Sequence, residues 1–279
     1  MTARTLEKRT VAGLPVAIWE GTGPTVVALA GLGGSGITWG PVVDRLGDAR
    51  VVAPDLRGRG DAQGMTGPTG LRAHAQDVVA ILEELDLADV VLLGHSYGSY
   101  LSPVVAQIAP GRIRKLVLVD GGIPPRLPGF MGPRLSRMAF GKKLRSVDRD
   151  YPSVEAAMKK ARMGRMVRSQ PELRPELERI LVESCTATYR PRLDVDRAVE
   201  DAVDAFFGPA VEPALAALTV PADVVLATNK EADGQGPFIS DKAVEPWVRR
   251  QPLLRVQRVK GNHVTVLFAP EVAAAVLAP

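Results

Sequence analysis

Asp89-Val90-Val91-Leu92-Leu93-Gly94-His95-Ser96-Tyr97-Gly98-Ser99 runs an apolar stretch straight into a Gly-x-Ser-x-Gly turn, and a segment of helical spacing continues to Ala109. Short apolar runs bounded by turn residues read as buried strands. The spacing predicts a strand over 89–94 and a helix over 97–109, so Ser96 falls on a sharp strand-to-helix turn. Small residues on either side let such a strained backbone close, leaving the serine hydroxyl at the C-terminal edge of a sheet. The bland alternative is a tight turn with an inert serine.

Outward from this turn the same grammar repeats. Strands are expected near 14–19, 25–30, 50–54, 114–120, 222–228 and 253–259, and helices over 38–47, 69–86, 237–250 and 264–278. In 69–86, Leu71, Ala75, Val78, Val79, Leu82 and Leu85 recur at three- and four-residue intervals, a stripe suited to lie on a sheet. Residues 6–30 hold strand-like runs broken by Ala12-Gly13 and Gly21-Thr22-Gly23-Pro24, too close together for a helical crossover, so the chain opens with a hairpin. From Gly121 to about Leu218 no convincing strand occurs, and 153–168, 175–189 and 195–206 have helical spacing. The expectation is therefore an α/β fold: a mostly parallel sheet of about eight strands flanked by helices, with core segments 1–120 and 219–279 and a helical insertion over 121–218.

Composition narrows the function classes. The 279 residues are 46% hydrophobic and 24% charged, which excludes disordered, collagen-like and coiled-coil chains. Net charge is +4, too small and too mixed in sign to argue for nucleic acid, yet residues 121–180 carry fourteen Lys and Arg against six Asp and Glu. The insertion is locally basic. Cys185 is the single cysteine, so neither an internal disulfide nor a cysteine-based zinc cluster can form. With no apolar run of spanning length and no leader-like N-terminus, a cytoplasmic protein without membrane partners is expected.

A serine nucleophile needs a base, and the histidines number three: His74, His95 and His263. His74 lies in the 69–86 helix, expected on its surface or edge in a structural role. His95 adjoins the serine and points elsewhere. His263, in Gly261-Asn262-His263 between the last strand and last helix, can reach across the sheet edge to Ser96, against the alternative of a solvated loop histidine. A second motif competes for attention. Gly31-Leu32-Gly33-Gly34-Ser35-Gly36 follows a strand and precedes Asp55, which satisfies a dinucleotide fingerprint. Against that stands the hairpin ahead of the strand.

Taken together, Gly94-His95-Ser96-Tyr97-Gly98, Asp55-Leu56-Arg57-Gly58-Arg59-Gly60 and Gly261-Asn262-His263 resemble the α/β-hydrolase fold superfamily over nearly the whole chain. The resemblance implies that the glycine loop is an oxyanion loop, with the Leu32 and Tyr97 N–H groups as donors, and that the insertion is a helical cap. It implies a serine in place of the aspartate that family members use to open epoxides. Departures exist: Ala30-Gly31 stands for a frequent His-Gly, Arg59 for a frequent histidine, and Asp61 where serine is common.

The family offers two places for the acid. After the strand following the cap, Glu231 and Asp233 lie one and three residues late; after the strand following the elbow helix stands Asp120, which is preferred. The resemblance implies hydrolysis of a small-molecule ester, thioester or lactone, with no cofactor and no metal. A lyase, isomerase or cyclase without cofactor, or a ligand-binding receptor, are the other classes the fold hosts. Candidate pocket residues are Gly31, Gly33, Trp39, Met131 and Met138, with Met158, Met163 and Met166 as further apolar surface. The basic insertion raises anionic substrates as an option, although arginines on amphipathic helices usually face water.

Overall fold

The computed structural model describes residues 4–126, 129–160, 170–229 and 236–278. Eight strands form one sheet: β1 (Leu6–Val11), β2 (Leu14–Trp19), β3 (Thr25–Leu29), β4 (Arg50–Pro54), β5 (Val90–His95), β6 (Ile113–Val119), β7 (Ala222–Ala227) and β8 (Leu254–Val259). Their spatial order is β1-β2-β4-β3-β5-β6-β7-β8. The expected hairpin is β1–β2, closed by Ala12 and Gly13, both at positive φ (+49° and +77°), as a two-residue primed turn requires. β2 joins β4 antiparallel, and every pairing beyond it is parallel.

Alternation along the central strands explains why these runs carry no polar face. Val27 and Leu29 of β3, with Val90 and Leu92 of β5, enter one core layer; Val26, Ala28, Val91 and Leu93 enter the opposite layer. Both faces are covered, so every position is apolar. The covering helices are α1 (Gly40–Val43), α2 (Leu71–Glu84), α3 (Tyr97–Ile108), α4 (Pro133–Arg145), α5 (Val154–Lys160), α6 (Arg174–Ser184), α7 (Val195–Phe207), α8 (Val211–Ala216), α9 (Asp241–Arg250) and α10 (Pro270–Leu277). Leu71, Ala75, Val78 and Leu82 of the expected stripe on α2 are fully buried. Among the described residues no helix is long and apolar enough to cross a membrane.

Several boundaries differ from expectation for local reasons. The helix expected over 264–278 is split, because Pro270 forces Ala269 into extended backbone (φ −65°, ψ 134°) between a 3-10 turn, Thr265–Phe268, and α10. The 38–47 segment is likewise a 3-10 turn, Gly36–Trp39, followed by the single turn α1. Between β6 and β7 the described residues form helices α4 to α8, a short 3-10 turn and two isolated bridges. Of these, α4 and the short α8 fall outside the segments expected to be helical: α4 is dominated by Arg and Lys, with Pro133 at its first position as the available signal, and α8 is only six residues long.

Two carboxylates of α7 help fasten the inserted helices to the core. Helix α2 begins at Gly70 (φ +90°) with no side-chain cap of its own. Asp201 and Asp204 of α7 replace it, accepting from the Gly70 and Leu71 N–H groups, each at 2.7 Å. Asp201 also accepts from Arg59 Nη2 and from His74 Nε2 at 3.0 Å. All three side chains are almost wholly buried, which corrects the surface position expected for His74. Burial alone would raise the Asp201 pKa, but the bonds from His74, Arg59 and the Gly70 N–H outweigh it and hold the carboxyl below its ordinary value of 3.8. Its stabilisation is therefore present above the unfolded-state pKa and is lost as pH falls through the lower folded-state value. Asp201→Ala would strand a buried guanidinium and should cost about 3–5 kcal/mol, read as a lower urea midpoint.

Candidate active site

β5 is central in the sheet, and Ser96 is the first residue beyond it. Its backbone lies at φ +52°, ψ −112°, a strained conformation for a non-glycine residue. Two close approaches hold it there. A Cβ on Gly98 would stand 1.9 Å from the Leu29 carbonyl oxygen, and one on Gly94 would stand 2.4 Å from the Gly98 carbonyl oxygen. A side chain at Gly98 would push α3 off β3, and one at Gly94 would push α3 off β5. The Ser96 N–H donates to the Val119 carbonyl (2.9 Å), and Ser99 Oγ donates to the Gly94 carbonyl (2.8 Å), tying the turn to β6 as well as to its own strand.

Asp120 follows β6, adjacent to β5, at φ +45° and with no exposed surface. Its own N–H donates to the Val225 carbonyl (2.9 Å), and its Oδ1 accepts from the Ala227 N–H (3.1 Å). The remaining oxygen, Oδ2, lies 2.6 Å from His263 Nδ1, and His263 Nε2 lies 2.9 Å from Ser96 Oγ. A carboxylate only accepts, so Nδ1 carries the imidazole proton and Nε2 is left to accept from the serine hydroxyl. The loop bearing His263 is shaped by Asn262, whose Oδ1 accepts from the Val264 and Thr265 N–H groups at 3.1 Å each. Thr265 Oγ1 accepts in return from the Asn262 N–H (3.0 Å). This reciprocal cap, with the Asn229 N–H to Gly261 carbonyl bond (3.1 Å), fixes the histidine beside the end of β7.

Gly31 and Leu32 lie on the loop after β3, next to the serine: a Cβ on Gly31 would stand 3.3 Å from Ser96 Cβ. Among the described residues no protein acceptor takes the Leu32 N–H. Tyr97 is the first residue of α3, so its N–H has no acceptor within the helix. Asp55, the acid of the fingerprint reading, is not free for a ribose. Its two oxygens accept from the Gly36 and Asp61 N–H groups at 2.5 and 2.6 Å, and burial raises its pKa. It braces the glycine loop, which opens a 3-10 turn rather than the long helix a dinucleotide site uses.

The other candidates scatter. Trp39 is buried in the core layer below the sheet, Gly33 is exposed on the loop, and Met131 is half-buried ahead of α4. Met138 is 71% exposed on the outer side of α4, which corrects its expected place in a pocket. Met158 is core. Glu231, Asp233, Met163 and Met166 lie outside the described residues. Instead of methionines, phenylalanines approach His263. The Phe238 ring centroid is 4.9 Å from that of His263, Phe206 is 6.3 Å from Phe238, and Phe140 stacks on Phe206 at 5.5 Å. Sequence reasoning missed this row because its members are far apart in the chain. It also set His95 aside, yet His95 Nε2 donates to the His263 carbonyl at 2.7 Å. Burial, with His263 alongside, lowers the His95 pKa to about 3.

A model of the alpha/beta hydrolase family matches residues 26–276. Over 125 residues the chain is 35% identical to Epoxide hydrolase 3 of Siraitia grosvenorii, a match covering 43% of this chain and 40% of that protein. The chain spans roughly two fifths of the length of the curated relatives it matches. Among solved structures, E-2-(acetamidomethylene)succinate hydrolase superposes with a TM-score of 0.76 at 20% identity, over 98% of each chain. A thermophilic esterase from Thermogutta terrifontis gives 0.69 at 22% identity, over 98% of this chain and 96% of that one. These two likenesses are of fold. Replacing Gly98 by alanine should disrupt the contact of α3 with β3 and destabilise the protein by about 1–3 kcal/mol or more, with the thermal midpoint as the measurement.

Proposed function

Because the chain belongs to the alpha/beta hydrolase family, we propose that it hydrolyses a small-molecule carboxylic ester, thioester or lactone through an acyl-enzyme on Ser96. The observation that carries this reading is the continuous relay from Asp120 Oδ2 through His263 to Ser96 Oγ, with bonds of 2.6 and 2.9 Å. In the first half-reaction Ser96 Oγ attacks the substrate carbonyl carbon as its proton passes to His263 Nε2. Asp120 keeps the imidazole in the tautomer that can accept that proton and stabilises the cation formed. The carbonyl oxygen, now negative, sits against the Leu32 and Tyr97 N–H groups, donors of a kind worth roughly 2.7–4 kcal/mol each in the transition state. As the tetrahedral centre collapses, His263 returns the proton to the departing alcohol, thiol or ring oxygen. Water then repeats the sequence on the acyl-serine, regenerating the hydroxyl.

Serine at the elbow separates this chain from epoxide opening by a carboxylate nucleophile, despite the likeness to Epoxide hydrolase 3. Cys185 is buried in the insertion, and burial raises its thiol pKa, so it does not supply a competing nucleophile. Support for an apolar group beside the base comes from Phe238, Phe206 and Phe140, all half-buried in a row that starts at the His263 ring. The arginines of the inserted helices give less support to an anionic substrate. Arg137 pairs with Glu200, Arg145 with Asp196, and Arg179 with Asp44 and Glu183.

A fluorophosphonate probe should add its mass to Ser96 in the wild type and leave Ser96→Ala unmodified. Absence of both labelling and turnover of short p-nitrophenyl esters by the wild type would remove the hydrolase reading. His263→Ala should lower kcat by about 10⁶, as loss of the base does where the groups act as a unit. Asp120→Asn should lower kcat by about 10⁴ through the wrong tautomer, while Glu231→Gln and Asp233→Asn stay near wild type. Wild-type activity in Asp120→Asn would reassign the acid.

A further inference from the structure

The residue before the nucleophile takes no part in the relay, yet it touches every segment that does. His95 ends β5 and is joined directly to Ser96. On one side its Nε2 lies 2.7 Å from the His263 carbonyl oxygen. A carbonyl accepts and cannot donate, so Nε2 carries a proton; with the ring's pKa lowered to about 3 by burial, Nδ1 is the nitrogen left unprotonated. On the other side Nδ1 faces the oxyanion loop, 3.2 Å from where a Cβ on Gly31 would be. The two imidazole rings lie with centroids 5.0 Å apart and planes inclined by 39°. His95 therefore stands between the loop after β3 and the loop after β8, whose ends come from opposite halves of the chain.

We propose that His95 is a positioning residue for His263, holding the main chain of the base with a hydrogen bond from its own uncharged ring. The proposal rests on the relay reading above only for its consequence in catalysis; the hydrogen bond and tautomer are claims about the folded protein. The bond matters because the His263 loop is otherwise fixed at Asn262 and Thr265, on either flank of the base, and not at the histidine's own carbonyl. Freed there, the peptide can rotate, and Nε2 leaves the line to Ser96 Oγ. A reacting geometry tolerates little of this, since a displacement of about 1 Å can cost on the order of 10²-fold in rate. Neutrality matters for a second reason. His263 becomes a cation in each half-reaction, and a charged neighbour at ring contact would oppose that charge. The titratable groups facing His95 are His263 and Asp120; burial, and then His263, lower its pKa to about 3, against the opposing pull of Asp120.

With three histidines in the chain, protein carrying ¹⁵N-labelled histidine gives three ring spin systems, and the spectrum of His95→Gln assigns the one belonging to position 95. The ring at 95 is expected neutral, with its proton on Nε2, from pH 8 down to pH 5. In His95→Leu the downfield Nδ1 proton of His263, bonded to Asp120, should broaden by faster exchange with water. That variant should lose roughly 10- to 100-fold in kcat with KM within about twofold, the size expected for misplacing a base without removing it. His95→Gln, whose amide N–H reaches as far as the imidazole Nε2, should recover most of the rate; His95→Asn, one bond shorter, should not. A ring at 95 that titrates above pH 5 or carries its proton on Nδ1 would overturn the proposal. So would His263 resonances and kcat that are the same in His95→Leu and wild type, or a loss of rate that glutamine and asparagine restore equally. The resonances report on the hydrogen bond without any substrate. If they behave as expected and no ester is turned over, the hydrolase reading fails and the positioning contact stands.

Discussion

The approach of α3 to β3, where the Gly98 Cα rests against the Leu29 carbonyl, is the constraint on which the site depends. A helix that must enter the layer so close to its neighbouring strand leaves no room for a relaxed turn between β5 and α3. The strain falls on Ser96, whose positive φ lifts its side chain away from the sheet. The same closeness places the loop after β3 beside the serine, so Ser96 and the Gly31–Leu32 backbone are set by one packing decision. The Ser96 N–H then bonds the last residue of β6, and the residue after it is Asp120. Geometry at the centre of the sheet thus propagates outward strand by strand to Asp120, and through its carboxylate to His263 after β8.

Three buried carboxylates do much of the remaining organisation, each joining segments distant in sequence. Asp55 gathers the Gly36 and Asp61 N–H groups, Asp120 gathers the Ala227 N–H and the His263 ring, and Asp201 gathers the Gly70 N–H, Arg59 and His74. A buried carboxylate is costly unless its oxygens are fully bonded, and each of these is. Such groups specify arrangement more sharply than apolar contacts, since a shifted loop leaves a charge without partners. Arg59, which differs from the histidine frequent in the family, also lies 5.1 Å from the Tyr97 ring, so the fastening of the inserted helices adjoins the elbow.

Much of this was legible in the chain. The central strands were plain because burial on both faces leaves uninterrupted Val, Leu and Ala, and a turn motif with a short supply of histidines singled out Ser96 and His263, which the fold brings to within 2.9 Å of one another. The acid was a preference between strand ends, since sequence does not show which of two loops faces the base. The glycine loop looked like a nucleotide site because close backbone approach selects glycine whatever lies opposite, here His95 and Ser96 against Gly31. What stayed hidden depends on long-range pairing: Phe140, Phe206 and Phe238 are almost a hundred positions apart in total, and His74 has the spacing of an edge residue until Asp201 is placed over it. The basic character of α4 masked a helix whose one-sided contacts are with α7.

The borrowed cap on α2 bears on the modular view of this architecture, in which one catalytic layer accepts many lids. Here the layer is not self-sufficient. The first turn of α2 is closed by two aspartates that the chain supplies about 130 residues later, after the inserted helices have been traversed. A lid exchanged for another of equal length but lacking carboxylates at those two places would leave open N–H groups on a core helix. Its substitution would be felt as a folding defect before it was felt as a change of specificity. Exchange between relatives therefore has to conserve a pair of side chains whose partners are the Gly70 and Leu71 N–H groups of the core, and the seam runs inside α7 rather than at the strand ends where the alternation of the sequence breaks.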